Sequence, residues 1–354
     1  MTYISAVTHT NIGPALITIL ADKDYYSTQA ETLRNAAPSV TKTFSDFNVR
    51  LTEAHKTGLG SSAALVTAFT AAVLGHYLPQ SLASLQSDTG KARLHNLAQA
   101  SHCAAQGKVG SGFDVAAAVY GSAVYRRFTP TILEIIGEPG IKGFSSRLKA
   151  VVDDTLGATK WDTQIEKSAA IIPRGLRLVM CDVECGSETV GLVKQVLAWR
   201  KANPEEAAFL WNTLQTGNEE LAQELQRLAL ESSGPGKDYE NLRAVILTIR
   251  SLIREMSAKA GVPIEPKVQT DLLDACSELP GVIGGVVPGA GGFDAIALLV
   301  EDDEATVRRV REFLNRYQVA ASEANIGRVR LLGVKQELQG ARIEDLEPYL
   351  AWIQ

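Results

Sequence analysis

The stretch Lys56-Thr57-Gly58-Leu59-Gly60-Ser61-Ser62-Ala63-Ala64 runs directly into the apolar segment Leu65–Leu74. Two glycines permit a tight turn and close backbone approach, two serines offer hydroxyls and amides, and the alanine-rich segment that follows reads as a helix. The unpaired N–H groups of a helix start point at an anion, the macrodipole favours negative charge there, and Lys56 adds a full positive charge. The stretch reads as a phosphate cradle. It is not a Walker A loop, in which Gly-Lys-Ser/Thr closes the turn, because here the lysine precedes the glycines. Standing alone it would suit an ordinary capped helix start. Its weight comes from two further loops.

The second is Gly107-Lys108-Val109-Gly110-Ser111-Gly112-Phe113-Asp114, which feeds the small-residue helix Val115-Ala116-Ala117-Ala118. Gly-Ser-Gly beside Lys108 brings backbone close to an anion, and Asp114 stands where a helix cap would stand. The third is Pro288-Gly289-Ala290-Gly291-Gly292, set between the apolar runs Val282–Val287 and Phe293–Val300, which read as two strands of a hairpin. Four small residues in a row exceed what a hairpin needs and predict close approach to a phosphate or to another loop.

A chain of 354 residues with 45% hydrophobic content can bury a sizeable core, and its length suggests two domains. The net charge of −5, with acids and bases interspersed, excludes a nucleic-acid footprint, so an anionic substrate has to be held by local groups. Cys103, Cys181, Cys185 and Cys276 form no C-x-x-C pair and are expected to be reduced, mostly buried thiols. No secretory leader is apparent after Met1, and the apolar stretch Ala63–Leu74 is too short to span a bilayer. The expectation is a soluble cytoplasmic protein with no nucleic-acid or membrane partner.

Between the loops, Leu16–Leu20 reads as a buried strand and Phe47–Leu51 as an alternating strand leading into the cradle. Lys91–Gln106 has helical spacing; His95 and His102 lie near one face of it, where hydrogen-bonded or exposed imidazoles are expected rather than metal ligands. Tyr120–Phe128 and Leu176–Val183 read as strands. A helix is expected from Gly186-Ser187-Glu188-Thr189 through Trp199, carrying Lys194. Pro204–Leu230 and Tyr239–Ala260 carry apolar stripes of core type, Glu304–Tyr317 is a charged-faced helix, Val329–Val334 a last strand, and the tail from Glu337 is peripheral.

The three loops in this order resemble those of the GHMP small-molecule kinases. Within that superfamily, Lys56–Ser62, Ala105–Ala118 and Val287–Ala297 are similar to the phosphomevalonate kinases of the fungal type, and the resemblance runs from about Leu16 to Val300. It implies an α+β, two-domain fold, with a ribosomal-protein-S5-like N-terminal domain over 1–173 that binds ATP and a ferredoxin-like C-terminal domain over 174–354. It also implies ATP-dependent phosphorylation of 5-phosphomevalonate to 5-diphosphomevalonate, in the mevalonate route to isoprenoids and sterols. On this resemblance Gly58, Leu59, Gly60, Ser61, Ser62 and Ala63 wrap the ATP phosphates, Ser62 helps hold Mg²⁺, Lys56 neutralises the transferring phosphoryl, and Asp114 matches the family's catalytic aspartate. Lys108, Ser111, Ser187, Thr189 and Lys194 become the acceptor-side contacts, with Gly289, Ala290, Gly291 and Gly292 as the third loop. The family opens with a Pro-Gly-Lys-type motif that has no counterpart here, so the N-terminal domain is expected to be incomplete at its start and turnover to be impaired. The alternatives are a weakly active or non-catalytic relative of the same fold, or a kinase for another small substrate such as mevalonate.

Overall fold

The computed structural model describes residues 1–9, 12–22, 25–27, 44, 55–56, 59–168, 171–184, 191–231, 238–317 and 326–352. The chain divides into two units, 1–167 with 337–354, and 168–336.

The first unit is mostly helical. Its elements are α1 (Thr2–Thr8), β1 (Tyr26–Ser27), β2 (His55–Lys56), α2 (Ser61–Tyr77), α3 (Gln80–Ala83), α4 (Asp88–Gln106), α5 (Phe113–Tyr120), β3 (Val124–Arg126), α6 (Thr131–Glu134), α7 (Phe144–Val152) and β4 (Gln164–Glu166). Two short antiparallel ladders, β1 with β2 and β3 with β4, complete it among the described residues. The central helix is α4. Ser87 caps it by accepting from the Gly90 N–H at 3.0 Å, and the left-handed Gly107 stops it. Residues 94–100, 102 and 103 of α4 are all buried, so the helix is covered on nearly every side, with α2, α5 and α7 packed against it. Leu94, Leu97 and Ala98 meet Val73, Leu74, Val115, Val119 and Val151 in the core of this unit.

Two expectations change here. The segment Leu16–Leu20 is not a buried strand: it runs as coil, with Leu16 94% exposed, and is tied down by Tyr77 Oη donating to the Gly13 carbonyl at 2.7 Å. An apolar run becomes a strand only where a ladder partner exists, and the one nearby pairing described is the single bridge Asp22 to Phe44. The tail after Glu337 is exposed over much of its length, yet it is fastened to the first unit. The Ser122 N–H donates to the Glu337 carbonyl at 2.8 Å and the Ala341 N–H to the Val119 carbonyl at 3.2 Å. Phe47–Leu51 lies outside the described residues.

The second unit contains β5 (Leu176–Val183), α8 (Leu192–Ala202), α9 (Pro204–Leu230), α10 (Glu240–Ala260), α11 (Lys267–Ser277), β6 (Val282–Val286), β7 (Ala295–Glu301), α12 (Glu304–Arg316) and β8 (Val329–Leu331). Its four strands form one antiparallel sheet in the order β6-β7-β5-β8, the ferredoxin-like arrangement. Val179, Cys181 and Val183 alternate onto one face of β5 and Leu176 packs on the other, with Leu242 and Ile246 of α10, and the buried stripe of α10, from Leu242 to Met256, matches its sequence period. Asp303 caps α12 by accepting from the Thr306 N–H at 2.9 Å. Arg250, fully buried, is neutralised by Glu265 and Asp274, each at 2.8 Å, which ties α10 to the start of α11. Cys103, Cys181 and Cys276 are free and buried; burial pushes the Cys276 thiol up to about 12, so it stays protonated. Among the described residues no helix is long and apolar enough to cross a membrane.

One electrostatic cluster anchors α1 to the first unit. Asp153, whose side chain is 12% exposed, accepts from Tyr3 Oη at 2.6 Å, Arg93 Nε at 3.0 Å and Lys149 Nζ at 2.8 Å. Burial by itself would raise its pKa, but the bonds from Lys149, Tyr3 and Arg93 together outweigh burial and hold the carboxyl below its usual value. A depressed folded-state pKa means stability that is present above the unfolded value of about 4 and lost as pH falls through the folded one. Asp153→Asn is therefore expected to cost about 1–3 kcal/mol at pH 7. The gap to the native chain should narrow on acidification below about pH 4, as urea unfolding at pH 7 and pH 3 would show.

Candidate phosphate-binding and transfer site

The cradle is built by the backbone of Gly60. With φ of 73° it takes the left-handed conformation at the N-cap of α2, and its carbonyl accepts from the N–H groups of both Ala63 and Ala64 at 3.1 Å. That leaves the amides of Ser61 and Ser62, ahead of them, with no backbone acceptor among the described residues. Leu59 precedes the turn, Ser61 and Ala63 are buried, and Ser62 is half-buried. Lys56 is placed through its backbone, paired with Tyr26 in the short ladder; its side chain, like Gly58, lies outside the described residues.

The second loop repeats the device. Gly112, φ 81°, is the left-handed N-cap of α5. A Cβ there would sit 2.6 Å from Gln99 Oε1 and 2.8 Å from Tyr125 Oη, so the position requires glycine twice over, for conformation and for space. Tyr125 Oη donates to the Ser111 carbonyl at 2.8 Å and Arg127 Nη2 to the Val109 carbonyl at 3.2 Å, fixing the loop to β3. Burial pushes the Tyr125 phenol up to about 12, which keeps it a donor at neutral pH. Lys108 and Ser111 are exposed on this loop. Asp114 Oδ1 accepts from its neighbour, the Val115 N–H, at 2.9 Å.

The two loops meet. The Cβ of Asp114 lies 3.6 Å from where a Cβ on Gly60 would be. The structure thus brings together Gly60, Ser61, Ser62 and Asp114 at the adjacent starts of α2 and α5, which sets helix-start amides, groups suited to an anion, beside a carboxylate. Three residues are absent from the sequence reading, Gln99 beneath Gly112 and Tyr125 and Arg127 as loop anchors; His102, expected as a hydrogen-bonded or exposed imidazole, is hydrogen-bonded, with its Nε2 3.2 Å from Ser62 Oγ. The wide-spaced partners of these residues leave no local signal that would have found them.

The remaining expected site residues belong to the second unit. Ser187 and Thr189 lie outside the described residues, and Lys194 is exposed on α8. The loop Gly289, Ala290, Gly291, Gly292 does make a close approach, but to the chain just before α11. The Gly292 N–H donates to the Ile264 carbonyl at 2.8 Å, a Cβ on Gly291 would meet that same oxygen at 2.5 Å, and Gln269 Nε2 holds the Phe293 carbonyl at 2.6 Å.

Gly110 and Gly112 make a paired test of the second loop. Nothing lies within 4 Å of a Cβ on Gly110, and its backbone is not left-handed. Gly112→Ala should cost about 1–3 kcal/mol, and Gly110→Ala no more than about 0.5 kcal/mol, measured by urea unfolding.

Comparison with known proteins agrees with this geometry. The sequence matches the family model "GHMP kinases N terminal domain" over residues 27–122 and "GHMP kinases C terminal" over residues 240–320. It is 51% identical to a phosphomevalonate kinase of Aspergillus fumigatus, over all of this chain and 73% of that one. To a phosphomevalonate kinase of Gibberella zeae it is 52% identical, over 97% of this chain and 73% of that one. A peroxisomal phosphomevalonate kinase of Arabidopsis thaliana is 36% identical over 82% of this chain and 66% of its own. Among solved structures, the Lin0012 protein of Listeria innocua shares the fold, with a TM-score of 0.57 at 21% identity over 81% of this chain and 71% of its own. The chain belongs to the phosphomevalonate kinase family of the GHMP kinases.

Proposed function

We propose that this chain transfers the γ-phosphoryl group of ATP to the phosphate of 5-phosphomevalonate, giving 5-diphosphomevalonate and ADP. The observation that carries the reading is the meeting of the α2 and α5 starts, with Asp114 against Gly60, in a chain about half identical to fungal kinases of that name. The amides of Ser61 and Ser62 bind the nucleotide phosphates. Lys56 adds positive charge to the transferring group, and Lys108 and Ser111 face the acceptor phosphate. Ser187, Thr189 and Lys194 are the further acceptor contacts on this reading.

The donor set fits Mg²⁺. The Ser62 hydroxyl and the Asp114 carboxylate are hard oxygen ligands, and Mg²⁺ at nucleotide sites takes only one or two protein oxygens beside phosphate and water. Held by Ser62 and Asp114, the metal would supply positive charge that offsets the charge on the nucleotide phosphates.

Proton accounting defines the role of Asp114. The acceptor is a phosphate monoester whose second proton, with a pKa of about 6, is already lost at neutral pH. One P–O bond to ADP breaks, one P–O bond to the acceptor oxygen forms, and the transfer balances without any proton. Asp114 therefore orients the cation or Lys56 and is not needed as a base.

The first test is ADP release by the purified chain with Mg²⁺-ATP. Turnover with 5-phosphomevalonate and none with mevalonate is expected; turnover with mevalonate, or none with either from folded protein, would overturn the assignment. Asp114→Asn should lower kcat by about 100-fold or more while leaving the acid limb of the pH profile in place, because that limb belongs to the acceptor. Disappearance of the limb would make Asp114 a general base instead.

A further inference from the structure

His102 has a place in this arrangement that its position in the sequence does not reveal. It is 5% exposed, on the penultimate turn of α4, and its Nε2 is met by two groups: Ser62 Oγ at 3.2 Å and Gln106 Nε2 at 3.0 Å. A carboxamide nitrogen can only donate, so the ring nitrogen that it faces is placed as an acceptor. To that nitrogen the Ser62 hydroxyl also donates.

A serine hydroxyl has one hydrogen and two lone pairs on a freely turning bond. With its hydrogen committed to His102, the rotation stops and both lone pairs face away from that ring. Those lone pairs are what a hard cation takes up. Without the acceptor, the hydrogen is free to point at the cation, and each approach of the metal has to reorient it. Gln106 adds a second link: it is the last residue of α4, directly before Gly107 and the loop that carries Lys108 and Ser111. One imidazole thus touches both the nucleotide loop and the root of the acceptor loop.

We propose that His102 is a positioning residue that accepts the Ser62 hydroxyl hydrogen and so presents the Ser62 oxygen to the Mg²⁺ of bound Mg²⁺-ATP. The inference rests on Ser62 being a metal ligand, and the experiment separates the two claims.

Calorimetric titration of Mg²⁺-ATP, and of ATP in EDTA, is compared for the native chain, Ser62→Ala, His102→Phe, His102→Asn and His102→Gln. A glutamine amide reaches the position of Nε2, whereas an asparagine amide reaches only that of Nδ1. Loss of an orienting partner costs a metal site roughly 10- to 100-fold in affinity. The expected pattern is Mg²⁺-ATP binding weakened about tenfold in the Phe and Asn variants and largely kept in Gln, with ATP in EDTA bound equally by all. Equal weakening with and without the metal would reduce His102 to a space-filling core residue, and no weakening in any His102 variant would also overturn the proposal. If Ser62→Ala leaves the metal-dependent part of binding intact, the ligand assignment of Ser62 fails, and the proposal with it. If Ser62→Ala abolishes that part and the His102 variants do not, His102 alone is refuted. Should the Phe variant fail to fold, the Asn and Gln variants decide the question, since both are polar: the proposal stands only if Gln binds Mg²⁺-ATP more tightly than Asn.

Discussion

The site depends on two helices of the first unit, α2 and α5, that open on a left-handed glycine, Gly60 and Gly112. An ordinary N-cap satisfies the first amides of a helix with a side-chain oxygen. A glycine cap has none to offer, so the amides of Ser61 and Ser62 find no backbone acceptor among the described residues, while at α5 the Asp114 carboxylate takes up the Val115 N–H. The absence of a Cβ also lets other groups come close: Asp114 packs beside Gly60, and Gln99 and Tyr125 close under Gly112. The same residue choice therefore exposes the binding groups and sets the distance between the two loops.

The loops are positioned from below by α4. A helix buried on nearly all sides cannot shift without disturbing the whole core, so polar groups on it are fixed reference points. Three such groups report to the site: Gln99 to the Gly112 turn, His102 to Ser62, and Gln106 to His102. Gln106 and Ser62 both meet the His102 ring through hydrogen-bond contacts, whereas Gln99, whose Nε2 donates to Cys103 Sγ, reaches the Gly112 turn by packing its Oε1 beneath it. From the outer side, Tyr125 on β3 and Arg127 just after it clamp the carbonyls of Ser111 and Val109. The second loop is thus held at both its inner and its outer edge.

Local chemistry was legible in the sequence and long-range pairing was not. Pro204–Leu230 and Leu176–Val183 are a helix and a strand over the residues that their periodicity marked, because one exposes a single polar face and the other alternates. The helices α7 and α11 escaped that reading, being short and flanked by loops rich in Gly and Pro. Leu16–Leu20 misled because apolar content says nothing about whether a ladder partner exists. At the site, the glycine loops announced themselves, whereas the contact of Gly60 with Asp114 is a property of the tertiary fold. His102 looked bland for the same reason: its serine partner lies 40 residues earlier in the chain. The third loop was read correctly as a close approach, but the approach is to Ile264, and only the structure could name it.

The chain carries a net charge of −5 and is read as binding two polyanions, which sets a demand that lysines on a surface would meet poorly. Flexible ammonium groups lose side-chain entropy on binding and are screened by salt. Backbone amides at Gly60 and Gly112 have already lost their freedom on folding, and their partial charges cannot be titrated away. A site built on them discriminates by distance and direction, which is what an in-line phosphoryl transfer between two phosphates asks for, since no proton and no covalent intermediate intervene. On the proposed function, the few full charges, Lys56, Lys108 and Asp114, act where charge changes during the reaction, while the fixed dipoles hold what does not change. That division explains why the residues which shape this site are glycines, amides and an imidazole, and why so little of it is written in the charge of the sequence.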